Sequence, residues 1–388
     1  MRAKRSASIA SGNMIRGTQK GNESNIYPLD SFVKPDENYF TSVYLRYYMQ
    51  REAQQFLYSK RVIHADSPFF KCHRRYFNSI LSVFRNPLSH KAYYSSVETC
   101  GNVKCCPVCG PRIMSVRSSE IRSAVHSWLS ESSDNTCYLL TLTFSHSIED
   151  RLDSLLVAFS NAVQRFWRNG TIKRSFSGFG YRGRITSLEI QYSLKNGFHP
   201  HQHVLIFCQK GFFDVEKLRR HWVSSLEYCG LKGLSDIALT LFEARSADQY
   251  LTKISAEMAM GNLKEGRGTG HFSPMQVLHE ASQGEFWARD VFADYFSATR
   301  RIHSLYWSKN LKTYFGIGDI SDDEIADGSS ETELERFCDF PADYWKQMSL
   351  QVRSFLIACA GAGDYCAAYS HLKSLGIPLW RSYTGDLL

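Results

Sequence analysis

The sequence predicts an α+β fold in which an antiparallel sheet packs against helices. Four stretches have the apolar, alternating or β-branched composition of strands, namely residues 137–145, 184–193, 197–207 and 236–244. Apolar residues repeat at helical spacing between the first and second strands and again between the third and fourth strands. A short turn at 195–197 joins the second strand to the third. The order is therefore β-α-β-β-α-β, followed by a further helix, and we expect the helices on one face of the sheet.

Each element follows from its own pattern. The first strand, CYLLTLTFS, consists almost entirely of apolar and threonine residues, which is typical of a buried strand. RLDSLLVAFSNAVQRFW and DVEKLRRHWVSSLEY repeat apolar residues at helical intervals. In RITSLEIQYS, Leu188, Ile190 and Tyr192 alternate with polar residues, as in a strand with one buried face. Ser246 and Gln249 form a capping-box pattern, which predicts that the last helix begins there.

Three histidines alternate along the third strand. In GFHPHQHVLIF, His199, His201 and His203 occupy every second position, so their imidazoles point to the same face. Converging imidazoles suit a divalent metal, and ordinary hydrogen bonds from an edge strand are the alternative. Pairing about the hairpin turn brings Glu189 close to His203, so we predict that Glu189 is a further ligand, with a solvated carboxylate as the alternative. His199 is either a ligand or a contact to the substrate.

The helix after the fourth strand carries Tyr250 and Lys253. They lie three residues apart, so they share a helical face one turn inside the predicted N-terminus. A helical tyrosine usually packs in the core, but beside a metal site its phenol is a candidate nucleophile for a phosphodiester. Tyr250 and Lys253 are our candidate catalytic residues, and Mg²⁺ or Mn²⁺ is the candidate metal.

Cysteines upstream of the sheet form a second set of candidate ligands. In CGNVKCCPVCGPRI, Cys106 and Cys109 have the spacing of a zinc knuckle, and Cys100 is a third ligand. The fourth is Cys105 or one of its alternatives, Cys72, His73 and His90. A closed site of this kind holds structural Zn²⁺, and reduced thiols without metal are the alternative. The helix that follows, RIMSVRSSEIRSAVHSWL, is basic and amphipathic, and we expect it to lie along a phosphate backbone.

Composition indicates which partners and which cellular location to expect. The formal charge of +8 suits a nucleic-acid partner without requiring one. The 11 cysteines are an odd number and several lie among apolar residues, which indicates reduced thiols and a cytoplasmic location. We find no apolar stretch of membrane-spanning length and no apolar region of a secretion signal at the N-terminus, so no membrane partner is expected.

Two basic stretches are interleaved with aromatic residues, RFWRNGTIKR at 165–174 and GFGYRGRI at 178–185. Cations that follow a phosphate backbone and rings that stack on bases are the combination that binds single strands. The candidate DNA contacts are Arg165, Arg168, Lys173, Arg174, Arg182 and Arg184. A solvated basic loop is the alternative for both stretches.

In this order, the motifs resemble those of the HUH-type rolling-circle replication initiators, the Rep proteins of plasmids. TLTF at 141–144 resembles the first motif of that family, HPHQHVLIF its metal-binding motif, and YLTK its catalytic motif. CGNVKCCPVC resembles the zinc knuckle found upstream in many members, and DYFSATRRIHSLYWSKNLKTYFGI the segment after the catalytic domain. The resemblance covers residues 95–325.

The resemblance implies the HUH endonuclease fold, an antiparallel sheet of ferredoxin-like order with flanking helices, together with a small zinc-knuckle segment. It implies that His201 and His203 are the defining metal ligands and that Tyr250 nicks one strand of origin DNA, single-stranded or extruded as a hairpin. The products are a 5′-phosphotyrosyl link and a 3′-OH primer, which a host DNA polymerase extends; a host helicase is a further expected partner. Many members carry a glutamate, which assists the terminating hydrolysis, four residues before the tyrosine, and this chain departs from that pattern with Ser246.

With this resemblance, the chain divides into six predicted parts. They are a basic and partly disordered arm, a zinc-knuckle and basic-helix segment, the HUH nuclease domain, a helical extension, an acidic solvated linker and a C-terminal helical segment. Their bounds, in the same order, are 1–60, 61–130, 135–262, 263–318, 319–335 and 336–388.

Two other functions fit part of the pattern. A transposase or relaxase shares the chemistry and differs in the DNA that it cuts. A zinc-dependent DNA-binding regulator with structural histidines would bind DNA without cleaving it, but this function leaves the order of the motifs unexplained.

Overall fold

The computed structural model describes residues 37–233, 236–244, 270–303, 305–328 and 334–381. The helices of these ranges are α1 Glu37–Ser59, α2 Pro68–Lys71, α3 Cys109–Glu131, α4 Leu152–Arg168, α5 Gly170–Ser177, α6 Val215–Tyr228, α7 Pro274–Ser282, α8 Phe286–Thr299, α9 Leu311–Tyr314, α10 Asp322–Asp327, α11 Leu350–Ala362 and α12 Tyr365–Ser374, with a 3₁₀ turn at Ala342–Lys346. The strands are β1 Ile80–Asn86, β2 Lys91–Tyr94, β3 Asn135–Leu142, β4 Gly183–Ser193, β5 Gly197–Gln209, β6 Leu239–Ala244, β7 His271–Phe272, β8 Leu305–Trp307 and β9 Glu335–Pro341.

The larger of two sheets contains the predicted strands. Its order is β6-β3-β5-β4-β7, with β8 paired to the first half of β4, and all of these pairings are antiparallel. β4 and β5 form a hairpin in which Gly197 has a φ of 76°, a left-handed value that glycine adopts without strain. The predicted α+β class is confirmed. The assignment to the HUH endonuclease fold stays a prediction.

Helices cover both faces of this sheet, so the prediction of one covered face is wrong. α4 and α6 pack on one face, where Phe159 and Trp222 belong to the same apolar cluster as Val204. α3 packs on the other face, where Trp128 meets Phe207 edge to face at 6.3 Å. Phe207 and the three histidines are odd-numbered residues of β5, so they share this second side, which we call the histidine face.

We expected the basic helix α3 to lie along a DNA backbone, and we did not predict that it also covers the second face of the sheet. Its apolar side chains, including Ile121, are buried in the core. Arg117 is also buried and donates to Asp322 of α10 at 2.7 Å and to Glu120 at 2.7 Å. The acidic segment predicted as a solvated linker therefore includes a helix, α10, whose Asp322 forms an ion pair with Arg117 of α3. Ile325 of the same helix is fully buried.

Residues 37–59, predicted as part of a disordered arm, form helix α1. Met49 and Leu57 are fully buried, as are the glutamines at positions 50 and 54. Gln54 donates to the backbone carbonyls of Phe69 and Cys72, at 2.8 and 2.9 Å. The apolar stripe of this helix is interrupted by these two buried amides, so apolar periodicity alone did not reveal it.

A smaller antiparallel sheet has the order β2-β1-β9. β9 opens the segment that was predicted to be helical, and α11 and α12 follow it. On β9, Asp339 accepts a hydrogen bond from Ser82 of β1 at 2.6 Å, in a buried position. None of the described helices combines the length and the apolar character needed to cross a membrane.

Candidate metal centres

Glu189, His201 and His203 converge on the histidine face. β4 and β5 pair so that Glu189 lies directly opposite His201, and His203 lies two residues farther along β5. The Oε2 atom of Glu189 is 2.9 Å from Nε2 of each histidine. The exposed fractions are 5% for Glu189, 8% for His201 and 4% for His203. The predicted proximity of Glu189 to His203 therefore extends to His201, and we call these three residues the triad.

The donor set of the triad fits a divalent cation. Two ligands at right angles on an octahedral ion with bonds of about 2.1 Å are about 3.0 Å apart. The carboxylate and imidazole donors are separated by 2.9 Å. Burial by itself would raise the pKa of Glu189, but the hydrogen bonds and charges of the two histidines lower that pKa far below its usual value. The carboxylate is thus ionised over the whole neutral range.

Neighbouring polar side chains orient two of these donors. Thr141 lies opposite His203 on β3, and its Oγ1 atom is 3.1 Å from Nδ1 of that histidine. Gln191 donates from Nε2 to Oε1 of Glu189 at 2.9 Å. An Nδ1–H that donates to the threonine leaves the Nε2 lone pair of His203 available as a ligand. Thr141 opens the TLTF stretch, so this contact gives the stretch a physical role.

His199 lies beside the triad with partners of its own. Its Nε2 atom is 2.6 Å from Oγ1 of Thr143, and its ring stacks on His146 with centroids 4.5 Å apart. Burial and the nearby charge of His201 lower the pKa of His199 to about 3, so the imidazole is neutral. Of the three predicted imidazole ligands, the described geometry groups only His201 and His203 with Glu189.

Four thiols meet near the start of α3, those of Cys72, Cys100, Cys106 and Cys109. The Sγ atom of Cys109 is 3.6 Å from that of Cys72 and 3.8 Å from that of Cys100. Four sulfur ligands bound tetrahedrally at about 2.3 Å from zinc are about 3.8 Å apart. Burial by itself would raise the pKa of Cys106, but hydrogen bonds from the other three cysteines lower it well below its usual value. The cysteine cluster therefore fits a closed zinc site.

Cys72 supplies the fourth thiol, and the choice of Cys105 is corrected. Although Cys105 adjoins Cys106 in sequence, its Sγ atom lies 3.4 Å from Oγ1 of Thr299 on α8. Cys72 follows α2 and accepts a hydrogen bond from Gln50 at 3.1 Å, and the same amide is 3.3 Å from the sulfur of Cys106. Local spacing did not select Cys72 because the fold brings it in from α2, together with a buried glutamine of α1.

Lys104 links the cysteine cluster to the triad. It lies within the knuckle, is 4% exposed, and donates from Nζ to the carbonyl of Leu188 at 2.5 Å. Leu188 directly precedes Glu189 on β4. The zinc segment thus lies against the strand that carries the carboxylate ligand, a connection for which the sequence contains no signal.

The candidate DNA contacts occupy a different part of the fold. Three guanidinium groups stack on aromatic rings of the protein at 3.8, 3.5 and 4.0 Å, namely Arg165 on Tyr228, Arg182 on Tyr314 and Arg184 on Trp167. The remaining candidates are exposed, namely Arg168, Lys173 and Arg174. Arg184 precedes Glu189 by five residues of extended strand, roughly 16 Å. These cations are not assembled around the triad, and their contact with DNA stays a prediction.

Tyr250 and Lys253 lie outside the described residues, as does Ser246. Glu243 lies within them, near the end of β6, where its carboxylate accepts a hydrogen bond from Thr136 at 3.0 Å. Thr136 and Glu243 are at the end of β3 and β6 distant from His203, which pairs with Thr141. The described geometry therefore does not group Glu243 with the triad.

Comparison with known proteins places the triad and most of the cysteine cluster in a matched segment. Residues 93–229 match the family model described as replication protein. The protein named "Protein rep" of Streptomyces lividans is 24% identical over 304 residues, covering 58% of this chain and 66% of that protein. "Protein rep" of Staphylococcus aureus is 27% identical over 188 residues, covering 47% and 76%. "Neomycin resistance protein" of Streptomyces cyanogenus is 30% identical over 148 residues, covering 32% and 33%.

No solved structure matches this chain. The alignment spans just under two thirds of the Streptomyces lividans protein. The resemblance to plasmid rolling-circle replication initiators, which the motifs predict, is confirmed by the replication-protein family and by these relatives.

Proposed function

We propose that this chain, which is similar to plasmid replication proteins, initiates rolling-circle replication by nicking one strand of origin DNA with Tyr250. The observation that carries the proposal is the convergence of Glu189, His201 and His203 on one buried face of the sheet. This triad lies inside the segment matched by the replication-protein family. A carboxylate and two imidazoles held in this way are suited to metal-assisted phosphodiester chemistry.

The triad would hold one divalent cation, which supplies polarisation of a phosphate oxygen and offsets charge that develops during attack. Because imidazole ligands suit transition metals better than Mg²⁺, we expect Mn²⁺ to bind more tightly than Mg²⁺. Thr141 keeps the ring of His203 oriented, and Gln191 does the same for Glu189. The cysteine cluster would hold Zn²⁺ in a structural role, since four thiols leave no open ligand position.

The position of Tyr250 in the chain supports its role as the nucleophile. It follows Ala244, the last residue of β6, by six residues. Ala244 pairs with Cys137, and Thr141, which lies opposite His203, is four residues farther along β3. Four strand residues span about 13 Å. Two extended residues followed by four residues of the predicted helix span about the same distance, about 7 Å and about 6 Å. A phenol at position 250 is therefore within reach of the triad.

In the proposed reaction, the phenol oxygen of Tyr250 attacks phosphorus and the bond from phosphorus to the 3′ oxygen breaks. The phenol proton passes to water, and the leaving oxygen takes up a proton to become the 3′-OH. The 5′ phosphate stays on the tyrosine as a diester, which conserves the bond for later rejoining. Lys253 offsets charge on the attacked phosphate. The free 3′-OH then primes synthesis by a host polymerase.

Cleavage of an end-labelled single strand that carries the origin of the encoding replicon tests the proposal. With Mn²⁺ present, we expect the wild type to cut at one position, and Tyr250→Phe and Glu189→Ala to bind the strand without cutting it. Tyr192→Phe is the matched control, because Tyr192 is a half-buried tyrosine of β4 that lies on the face opposite Glu189. Cutting by Tyr250→Phe at the wild-type rate would contradict the proposal, and binding without cutting by the wild type would favour a non-catalytic regulator.

A further inference from the structure

A cavity of about 390 Å³ lies between α1, β2, α3 and α11. It adjoins the cysteine cluster, since Cys109 is among the residues that line it. None of the triad residues lines it. The volume falls within the range of small-molecule sites, roughly 300–1,000 Å³. Neither the predicted nicking reaction nor the candidate DNA contacts use this cavity.

The described lining of the cavity is basic. Arg46 of α1, Lys91 of β2 and Arg112 of α3 line it, and none of the described lining residues carries a carboxylate. Lys91 donates to Ser115 at 2.8 Å and Arg112 donates to the carbonyl of Ala326 at 2.9 Å. The positive potential of three cations around one space favours an anionic occupant.

Arg46 is the cation that most needs a partner. Its Nε atom is buried and has no hydrogen-bond partner among the described residues, although its guanidinium also donates to Ser42 at 3.3 Å. Burial lowers the pKa of Arg46, which shows that the charged form is poorly solvated. Nδ1 of His73, which also lines the cavity, is buried without a partner as well. A ligand that brings acceptor atoms would satisfy groups that are otherwise costly to bury.

Aromatic side chains complete the wall. Tyr39, Tyr47 and Tyr93 line the cavity beside the cations. The guanidinium of Arg112 lies 3.4 Å from the centroid of the Tyr93 ring, which leaves a flat, mixed surface of charge and π-system. Guanidinium groups bind phosphate and aromatic rings stack on bases, so the two together match the two parts of a nucleotide.

We propose that this cavity binds one nucleotide unit, with its phosphate at Arg46 and its base against the tyrosines. The unit is either one residue of a DNA strand or a free nucleotide, since both present the same phosphate and base. The site is separate from the triad and is occupied whether or not the strand is cut.

Two probes without added divalent metal distinguish the sources. Calorimetry with deoxythymidine 5′-monophosphate measures a free nucleotide, and photocrosslinking with an oligonucleotide that contains 4-thiothymidine measures a strand, with peptides mapped to Tyr39 or Tyr93. We expect Arg46→Met to weaken calorimetric binding, or to lower the crosslink yield, by about tenfold, as expected for the loss of one charge-assisted hydrogen bond. Ser115→Glu should act in the same way, because it places a carboxylate at an exposed position of the wall without altering the core.

Lys60→Met is the matched control for charge, because Lys60 is an exposed cation near the end of the same helix, paired with Asp290 and outside the cavity. It should retain wild-type binding of both probes. If neither probe reaches the cavity, or if Arg46→Met and Ser115→Glu both stay within about twofold of the wild type, the proposal is overturned. Tyr250→Phe should keep both signals, so failure of this proposal is distinguishable from failure of the nicking mechanism.

Discussion

Replacing Cys72 and Cys105 by serine, one at a time, separates a zinc ligand from a buried thiol. Both side chains are fully buried. The sulfur of Cys72 lies 3.6 Å from that of Cys109, whereas the sulfur of Cys105 faces the hydroxyl of Thr299 at 3.4 Å. We expect Cys72→Ser to lose the zinc and Cys105→Ser to keep it, which is the reverse of what spacing in the sequence favours.

The size of the effect follows from the two environments. Either substitution buries a hydroxyl in place of a thiol, at about 1–3 kcal/mol, and this cost is largely common to both variants. A structural zinc contributes about 10–16 kcal/mol of binding free energy in small peptides, as much as the whole unfolding free energy of a domain, about 5–15 kcal/mol. Losing one of four thiolates forfeits several kcal/mol of this. At about 2–4 °C per kcal/mol, Cys72→Ser should unfold about 10 °C below Cys105→Ser.

Elemental analysis and thermal unfolding of reduced protein measure both parts of this prediction. Wild type and Cys105→Ser should contain about one zinc per chain, and Cys72→Ser should contain much less. Equal zinc content in the two variants, with unfolding midpoints within about 2 °C, would refute the four-thiol site as we describe it.

Four further outcomes are expected. Thr141→Val should weaken Mn²⁺ binding about 10–100-fold by calorimetry, because His203 loses the contact that orients its ring, while Thr143→Val, which contacts His199, should change it little. Unchanged affinity in Thr141→Val would remove that contact from the site. Mn²⁺ affinity should fall as the pH is lowered, because protons compete with the metal for its histidine ligands, whereas Glu189 stays ionised since its pKa is held far below the usual value; an affinity independent of pH would exclude the histidines as ligands. His201→Ala should abolish Mn²⁺-dependent cleavage and His199→Ala should retain part of it; equal loss in both would make His199 a ligand. Lys253→Met should slow single-turnover cleavage on the order of 100-fold, with Lys253→Arg recovering part of the rate, and a rate within about twofold of wild type would take Lys253 out of the site.

The site on the sheet could be predicted because strands have a strict period of two. Alternation alone put His201 and His203 on one face, and the short turn between β4 and β5 fixed the register that brings Glu189 to them. The strand composition of TLTF was also visible, but the contact between Thr141 and His203 depends on how β3 pairs with β5. Pairing between strands that are distant in the chain is not encoded in the local pattern.

Local sequence patterns predict only part of the cysteine cluster. The knuckle cysteines are close in sequence, but Cys72 and Gln50 reach them only because α1 and α2 pack beside α3. Helix α1 was missed for the same reason, since its buried face carries glutamines whose partners lie elsewhere in the fold. The helix that contains Arg117 was expected to lie along a phosphate backbone, but Arg117 pairs with Asp322, which lies in a segment predicted as a solvated linker.

Mass spectrometry of the protein after reaction with single-stranded origin DNA and Mn²⁺ tests the nicking mechanism most directly. After digestion with nuclease and protease, the peptide that contains Tyr250 should carry a 5′-linked nucleotide, and this adduct should be absent when Glu189 is replaced by alanine or the metal is chelated. A cut strand with no protein adduct, or an adduct on a different residue such as Tyr192, would contradict the assignment of Tyr250 as the nucleophile.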